Sequence, residues 1–180
     1  MALVHYPVVN KHGEIIASAV TNLDLHDISR SAKTYGVRAF YVVTPLADQK
    51  ELVEKISAHW LKGIGGTYNP KRKEALKLIV VKNTLDDVIE HIRKDTGDAP
   101  KTIVTSAHQN PRNISFKRFS EMLQDGASYL LILGTGWGLS ESLIAEADYV
   151  LNPVLGNTGY NHLSVRSAAA VMLDRLLGRK

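Results

Sequence analysis

The run Leu130-Leu131-Ile132-Leu133, which ends in Gly134-Thr135-Gly136-Trp137-Gly138-Leu139-Ser140, constrains this chain more than any other stretch. A short, unbroken apolar run reads as a strand buried on both faces, the kind found in parallel sheets covered by helices. The closely spaced glycines that follow make a turn whose bare backbone amides can approach a ligand. About twenty residues further on, Asn161-His162-Leu163-Ser164 leads into the alanine-rich Val165-Arg166-Ser167-Ala168-Ala169-Ala170. Asn161, His162 and Ser164 are cap-type side chains where that helix begins. Two such loops so close in sequence read as two walls of one small-molecule pocket.

The rest of the chain alternates strand and helix. Leu3 to Val9 reads as a buried strand, and Ile15 to Val20 as a second short strand or an extended connection. Thr21 and Asn22 offer caps for a helix that runs to about Tyr35 and ends at Gly36. Further strands are expected at 39–44, 76–81, 102–105, 129–133 and 149–151. Helices are expected at 47–61, 85–93, 116–124, 140–145 and 164–177, while Gly63-Ile64-Gly65-Gly66-Thr67-Tyr68-Asn69-Pro70 breaks regular structure. This order predicts one α/β domain over residues 1–180, with a mostly parallel sheet flanked by helices. Ligands of such sheets bind beyond the carboxyl ends of the strands.

Composition narrows the chemistry. The absence of cysteine excludes disulfides, thiol catalysis and cysteine–zinc sites. His5, His12, His59 and His91 lack metal-ligand spacing, so no metal is expected. There is no apolar run of membrane-spanning length and no signal-peptide pattern at the start, so a cytoplasmic location is expected. The net charge of +4 is concentrated: Lys62, Lys71, Arg72, Lys73, Lys77 and Lys82 face only Glu74 between Leu61 and Lys82. Lys71, Arg72 and Lys73, with Tyr68 beside them, fit phosphate contacts plus one stacking ring on an anionic partner.

Gly134-Thr135-Gly136-Trp137-Gly138 matches a dinucleotide fingerprint only as Gly-x-Gly-x-Gly. Such fingerprints open their domain, whereas about 42 residues remain here, which disfavours NAD and a Rossmann-type methyltransferase. A different pattern fits better. The segment Asp24-Leu25-His26-Asp27-Ile28-Ser29-Arg30-Ser31-Ala32-Lys33-Thr34-Tyr35-Gly36-Val37 resembles motif 1 of the SPOUT superfamily of RNA methyltransferases. Leu133 to Ser140 resembles its motif 2, and Asn161 to Ala170 its motif 3.

The resemblance covers nearly the whole chain and is that of a minimal catalytic domain without an added RNA-binding module. It implies a C-terminal deep trefoil knot, a homodimer, and S-adenosylmethionine as cofactor with S-adenosylhomocysteine as product. Carried over by position, Leu133, Gly134, Thr135, Gly136 and Gly138 form one wall of the cofactor site. Leu151, Leu155, Gly156, Tyr160, Asn161, His162, Leu163 and Ser164 form the other, with Thr105 in addition. Arg30 matches the motif 1 arginine used at the acceptor hydroxyl, and Asn22 and Asp27 stand beside it as further catalytic candidates. The implied acceptor is a ribose 2′-hydroxyl of tRNA or rRNA, with a guanine ring nitrogen second. The family often carries asparagine where this chain has Asp24 or Asp27, and a carboxylate there could serve as base toward a ring nitrogen. The alternative is a non-catalytic, knotted RNA-binding protein.

Overall fold

In the computed structural model, which describes residues 1–179, a single sheet of seven strands runs through the chain. Its order is β5 (Ile79–Lys82), β4 (Phe40–Val43), β1 (Ala2–Val4), β8 (Tyr129–Gly134), β6 (Lys101–Thr105), β9 (Tyr149–Leu151), β7 (Asn113–Ile114). Every neighbouring pair is parallel, so the carboxyl ends of the central strands share one edge. β8 is the central strand and β1 lies beside it, with Ala2 opposite both Tyr41 and Ile132.

Both faces are covered, which explains the unbroken apolar strands. Side chains alternate between the two faces. Leu3, Phe40, Val42, Leu131 and Leu133 pack against α1 (Asn22–Thr34), α2 (Ala47–Leu61), α6 (Phe116–Met122) and α8 (Val165–Leu177). Val4, Tyr41, Val43, Leu130 and Ile132 pack against α5 (Leu85–Thr96) and α7 (Glu141–Glu146). The apolar stripe of α8 is core within this chain, since Ala169, Met172 and Leu176 are buried. Thr21 caps α1 by accepting from the Asp24 amide, and Gly36 follows it at φ +72°. No helix among the described residues is long and apolar enough to cross a membrane.

Two expectations are corrected, and one strand was not expected. The stretch from Leu3 to Val9 is not one strand: β1 stops at Val4, and β2 (Val8–Val9) pairs antiparallel with β3 (Ile15–Ile16). The turn between them is local side-chain chemistry, as Asn10 Oδ1 accepts from the amides of His12 (2.8 Å) and Glu14 (3.1 Å). Second, residues 63–70 do not break structure but form α3 (Ile64–Tyr68) and begin α4 (Pro70–Leu76). Gly65 and Gly66 are buried, and a Cβ on Gly66 would collide with the Trp60 carbonyl and come within 2.9 Å of Lys73 Cδ. These glycines permit close packing rather than a loose loop. Asn69 caps α4 by accepting from the Arg72 amide, with Pro70 at the first helical position. Leu76 therefore belongs to a helix, and β5 starts only at Ile79. The two-residue edge strand β7 carries no periodicity long enough to read.

Candidate functional site

The loops leaving the carboxyl ends of β8 and β6 and the loop before α8 enclose a cleft of about 1110 Å³. Its floor is the turn from Leu133 to Leu139. Gly134 has no room for a side chain, because a Cβ would stand 2.8 Å from the Leu139 amide nitrogen and 3.0 Å from Gly138 C. Gly136 and Gly138 adopt φ +61° and +118°, a region that glycine enters readily and L-residues avoid. The expectation of bare amides needs correction. The Trp137 amide donates to Val9 O (3.0 Å) and the Gly138 amide to Thr135 O (3.0 Å). Val9 N–H in turn donates to Gly138 O (3.0 Å), so the β2–β3 hairpin clasps the turn, and Val9 itself lines the cleft.

A polar chain runs beneath this floor. Thr135 Oγ1 donates to Val4 O (2.9 Å), Ser18 Oγ makes a short hydrogen bond to Thr135 Oγ1, and His5 Nδ1 lies 3.0 Å from Ser18 Oγ. The Val4 carbonyl can only accept, so the protons run from His5 Nδ1–H through Ser18 and Thr135 to Val4. That direction leaves His5 Nε2 a bare acceptor, fully buried and without a partner. Burial pushes the His5 pKa down to about 4, against smaller upward effects of the Asp24 charge and the Ala19 and Ser18 backbone. The ring is therefore neutral at physiological pH.

The opposite wall is the 161–164 loop. Ser164 alone caps α8, by accepting from the Ser167 amide. Asn161 does not cap; its Nδ2 donates to Ala107 O (2.7 Å) and ties this loop to the one after β6. Thr105, His162 and Leu163 also line the cleft, and the Thr105 hydroxyl donates to Ile132 O (3.1 Å). Four expected wall residues do not line it. Leu151 is fully buried in the core, while Leu155, Gly156 and Tyr160 are exposed outside. Trp137, 68% exposed, stands at the rim, where the reading from sequence assigned it no role.

The third side of the cleft comes from α1. Thr21 and Asp24 line it, whereas Asn22, Asp27 and Arg30 do not. Asn22 is the exposed first residue of α1, and the cap is Thr21 instead. The Arg30 side chain is 59% exposed and sits 4.0 Å from Asp27 Oδ1. Asp24 is buried, and its Oδ2 accepts from the Thr21 hydroxyl at 2.7 Å. Its Oδ1 lies 3.5 Å from Nη1 of Arg166, whose Nε is 3.6 Å from Asp27 Oδ2. Asp27 thus sits between Arg30 and Arg166. Sequence reasoning missed Arg166, though a signal existed: a cation in the first turn of a helix opposes the macrodipole and so needs another reason to be there.

The basic stretch lies on α4, which packs against α1. The Arg72 guanidinium lies over the Trp60 ring at 4.9 Å, and its buried Nε has no partner. Lys73 is half-buried beside Gly66, while Lys71 and Lys77 are exposed and Tyr68 is 90% exposed. On α1, His26 meets Trp60 edge-on at 5.2 Å. Its pKa is lowered by burial and by the Arg72 charge, with Asp27 opposing and Arg30 adding to the lowering. The cations of α4 and the outer face of α1 therefore form one surface. No metal-binding group of histidine and carboxylate side chains occurs among the described residues.

A wholly parallel sheet with a glycine-turn cleft at its carboxyl edge defines an α/β protein built to hold a small organic ligand. Comparison with known proteins gives the family. Residues 1–178 match a family model described as SAM-dependent RNA methyltransferase, and the chain belongs to that family. A tRNA (guanine-N(1)-)-methyltransferase of Nitratidesulfovibrio vulgaris is 45% identical over 177 residues, 98% of this chain and 41% of that protein. An uncharacterized protein of Aquifex aeolicus is 38% identical over 180 residues, covering 99% of this chain and 88% of that one. The chain spans about two fifths of the length of the named tRNA methyltransferases it matches. Among solved structures, the SpoU methyltransferase AviRb from Streptomyces viridochromogenes in complex with AdoMet shares the fold. Its TM-score is 0.59 at 17% identity, over 98% of this chain and 55% of that one.

Proposed function

We propose that this protein transfers a methyl group from S-adenosylmethionine to a nucleotide of tRNA or rRNA. The observation that carries the reading is the cleft itself, where the glycine turn and the 161–164 loop face the buried carboxylate Asp24. The residues present fit the cofactor. Side chains at Gly134, Gly136 and Gly138 would fill or distort the floor, and Leu133, Leu139, Val154 and Met172 offer apolar walls to an adenosine. Leu133, Gly134, Thr135, Gly136, Gly138, Thr105 and the 161–164 loop are the residues that would hold it. When bound, it supplies a methyl group activated by its sulfonium.

The protein's share is orientation and proton removal. Asp24 is held by Thr21 and lies in the cleft, so it is the group placed to take a proton from an acceptor N–H. A guanine ring N–H is more acidic than a ribose hydroxyl and suits a carboxylate base better. The name of the Nitratidesulfovibrio vulgaris relative points the same way. The second reading, a ribose 2′-hydroxyl, is favoured by Arg30 at its family position. On either reading Asp27 steadies Arg30 and Arg166, and Asn22 and Arg30 meet the substrate from the outer face of α1. Lys71, Arg72 and Lys73 extend that face toward RNA phosphates.

A homodimer, a C-terminal knot and a cytoplasmic location belong to the same proposal. Exposed Leu23, Leu155 and Leu163 give apolar surface that a second copy would cover. The rival is an RNA-binding protein with an idle cleft. Calorimetric titration with S-adenosylhomocysteine, followed by incubation of unmodified tRNA with tritiated S-adenosylmethionine, separates the two. Alkaline hydrolysis of the product then decides the acceptor, because ribose methylation leaves alkali-resistant dinucleotides and base methylation does not. Cofactor binding without incorporation into tRNA or rRNA would support the rival.

A further inference from the structure

Arg166 is placed as no helix-stabilising residue would be. It lies in the first turn of α8, where its charge opposes the helix dipole, and it lines the cleft with its side chain 36% exposed. Its bonds are loose. One hydrogen bond reaches Asp24 Oδ1 at 3.5 Å, one ionic contact reaches Asp27 at 3.6 Å, and Nη2 has no partner among the described residues. A settled guanidinium–carboxylate pair closes to about 2.7–2.9 Å and uses two parallel bonds. Asp24, by contrast, is held without Arg166: Thr21 Oγ1 donates to Oδ2 at 2.7 Å and accepts from the Asp24 amide at 3.1 Å. The acid therefore has an anchor of its own, whereas Arg166 has only these two long contacts.

We propose that Arg166 is the phosphate-binding residue of the acceptor site, parked on Asp24 and Asp27 until RNA arrives. This rests on the RNA methyltransferase reading. A phosphate offers the planar fork two oxygens in place of two distant single contacts. As Arg166 moves to the phosphate, Asp24 Oδ1 is uncovered. The acceptor's proton then passes to that oxygen while the acceptor's electron pair takes the methyl group and the C–S pair stays on sulfur. RNA binding and exposure of the base are one event, so the carboxylate is masked whenever substrate is absent.

The test is filter binding of radiolabelled, unfractionated bacterial tRNA across a salt series with S-adenosylhomocysteine present, beside calorimetry of S-adenosylhomocysteine alone. Arg166→Ala should weaken tRNA binding and flatten the slope of log affinity against log salt by about 0.7–0.9, one phosphate contact. Its affinity for S-adenosylhomocysteine should match the wild type. Arg166→Lys should keep the wild-type slope, because the charge remains. Asp24→Asn should bind tRNA at least as tightly as wild type, since nothing then competes for the guanidinium. Wild-type tRNA affinity or slope in Arg166→Ala overturns the proposal, as does a flattened slope in Arg166→Lys or weaker binding by Asp24→Asn. Loss of S-adenosylhomocysteine affinity alone in Arg166→Ala would assign the arginine to the cofactor's carboxylate and also overturn it. Failure of wild type to bind tRNA removes this inference, whereas failure to bind S-adenosylhomocysteine removes the methyltransferase reading beneath it.

Discussion

Alanine at Gly136 tests whether the motif 2 turn is held in its shape from both sides. Gly136 has φ +61°, and its added Cβ would stand 3.1 Å from Val9 O, the carbonyl that accepts from the Trp137 amide. Gly36, after α1, makes an internal control: it has φ +72°, and its Cβ would meet nothing within 4 Å. Placing an L-residue in the left-handed region costs about 1–2 kcal/mol. For a domain of this size that lowers Tm by roughly 2–8 °C. Both variants should show that backbone loss in thermal denaturation. Gly136→Ala should lose more, because Val9 O must retreat and stretch its bond to Trp137. It should also lose S-adenosylhomocysteine affinity by calorimetry, while Gly36→Ala retains it. Equal losses of Tm and equal affinities in the two variants would refute the clasp as a determinant of the cleft.

Three further outcomes follow from the geometry. Thr21→Ala removes the cap of α1 and the hydroxyl that holds Asp24, so it should cost about 1 kcal/mol in denaturant unfolding and lower methyl incorporation into tRNA. His5 has a folded pKa of about 4 against an unfolded value of 6.5, so the unfolded chain binds the extra proton. Stability should therefore fall as pH drops below about 6.5 and level off near 4, and His5→Asn should flatten that part of a stability-against-pH curve. The Met1 amine, lowered by burial to about 5, adds a slope of the same sign that the variant leaves in place. Charge reversal at exposed Lys71 and Lys77 should weaken tRNA binding and flatten its salt dependence without changing S-adenosylhomocysteine affinity in calorimetry.

The sheet was legible because its centre is apolar on both faces, and β4, β8 and α2 fall where periodicity puts them. The 63–76 segment was not, because glycine has two uses. At Gly36 it supplies a left-handed turn, but at Gly65 and Gly66 it lets two helices meet, and only the packing partner Trp60 separates the cases. The glycine turn and Asn161 to Ser164 were readable as cleft walls because their residue types suit that role locally. Asp24 and Arg166 were harder, since their pairing joins α1 to α8 across most of the chain and has no local spacing. Arg30 drew attention by its position in a motif, yet the turn of α1 points it outward and brings Asp24 inward.

The clasp between Val9 and the 137–138 backbone also sets when the cleft can exist during folding. Residues near the start of the chain must find residues near its end before the turn has its shape, a contact of high sequence separation whose loop-closure entropy is met late. The Trp137 amide then becomes a reporter of one event. It can exchange its hydrogen with solvent only when the β2–β3 hairpin lifts away, so its protection measures how often the cofactor floor comes apart in the native protein. A ligand seated on that floor would slow this exchange by holding the hairpin and the turn together.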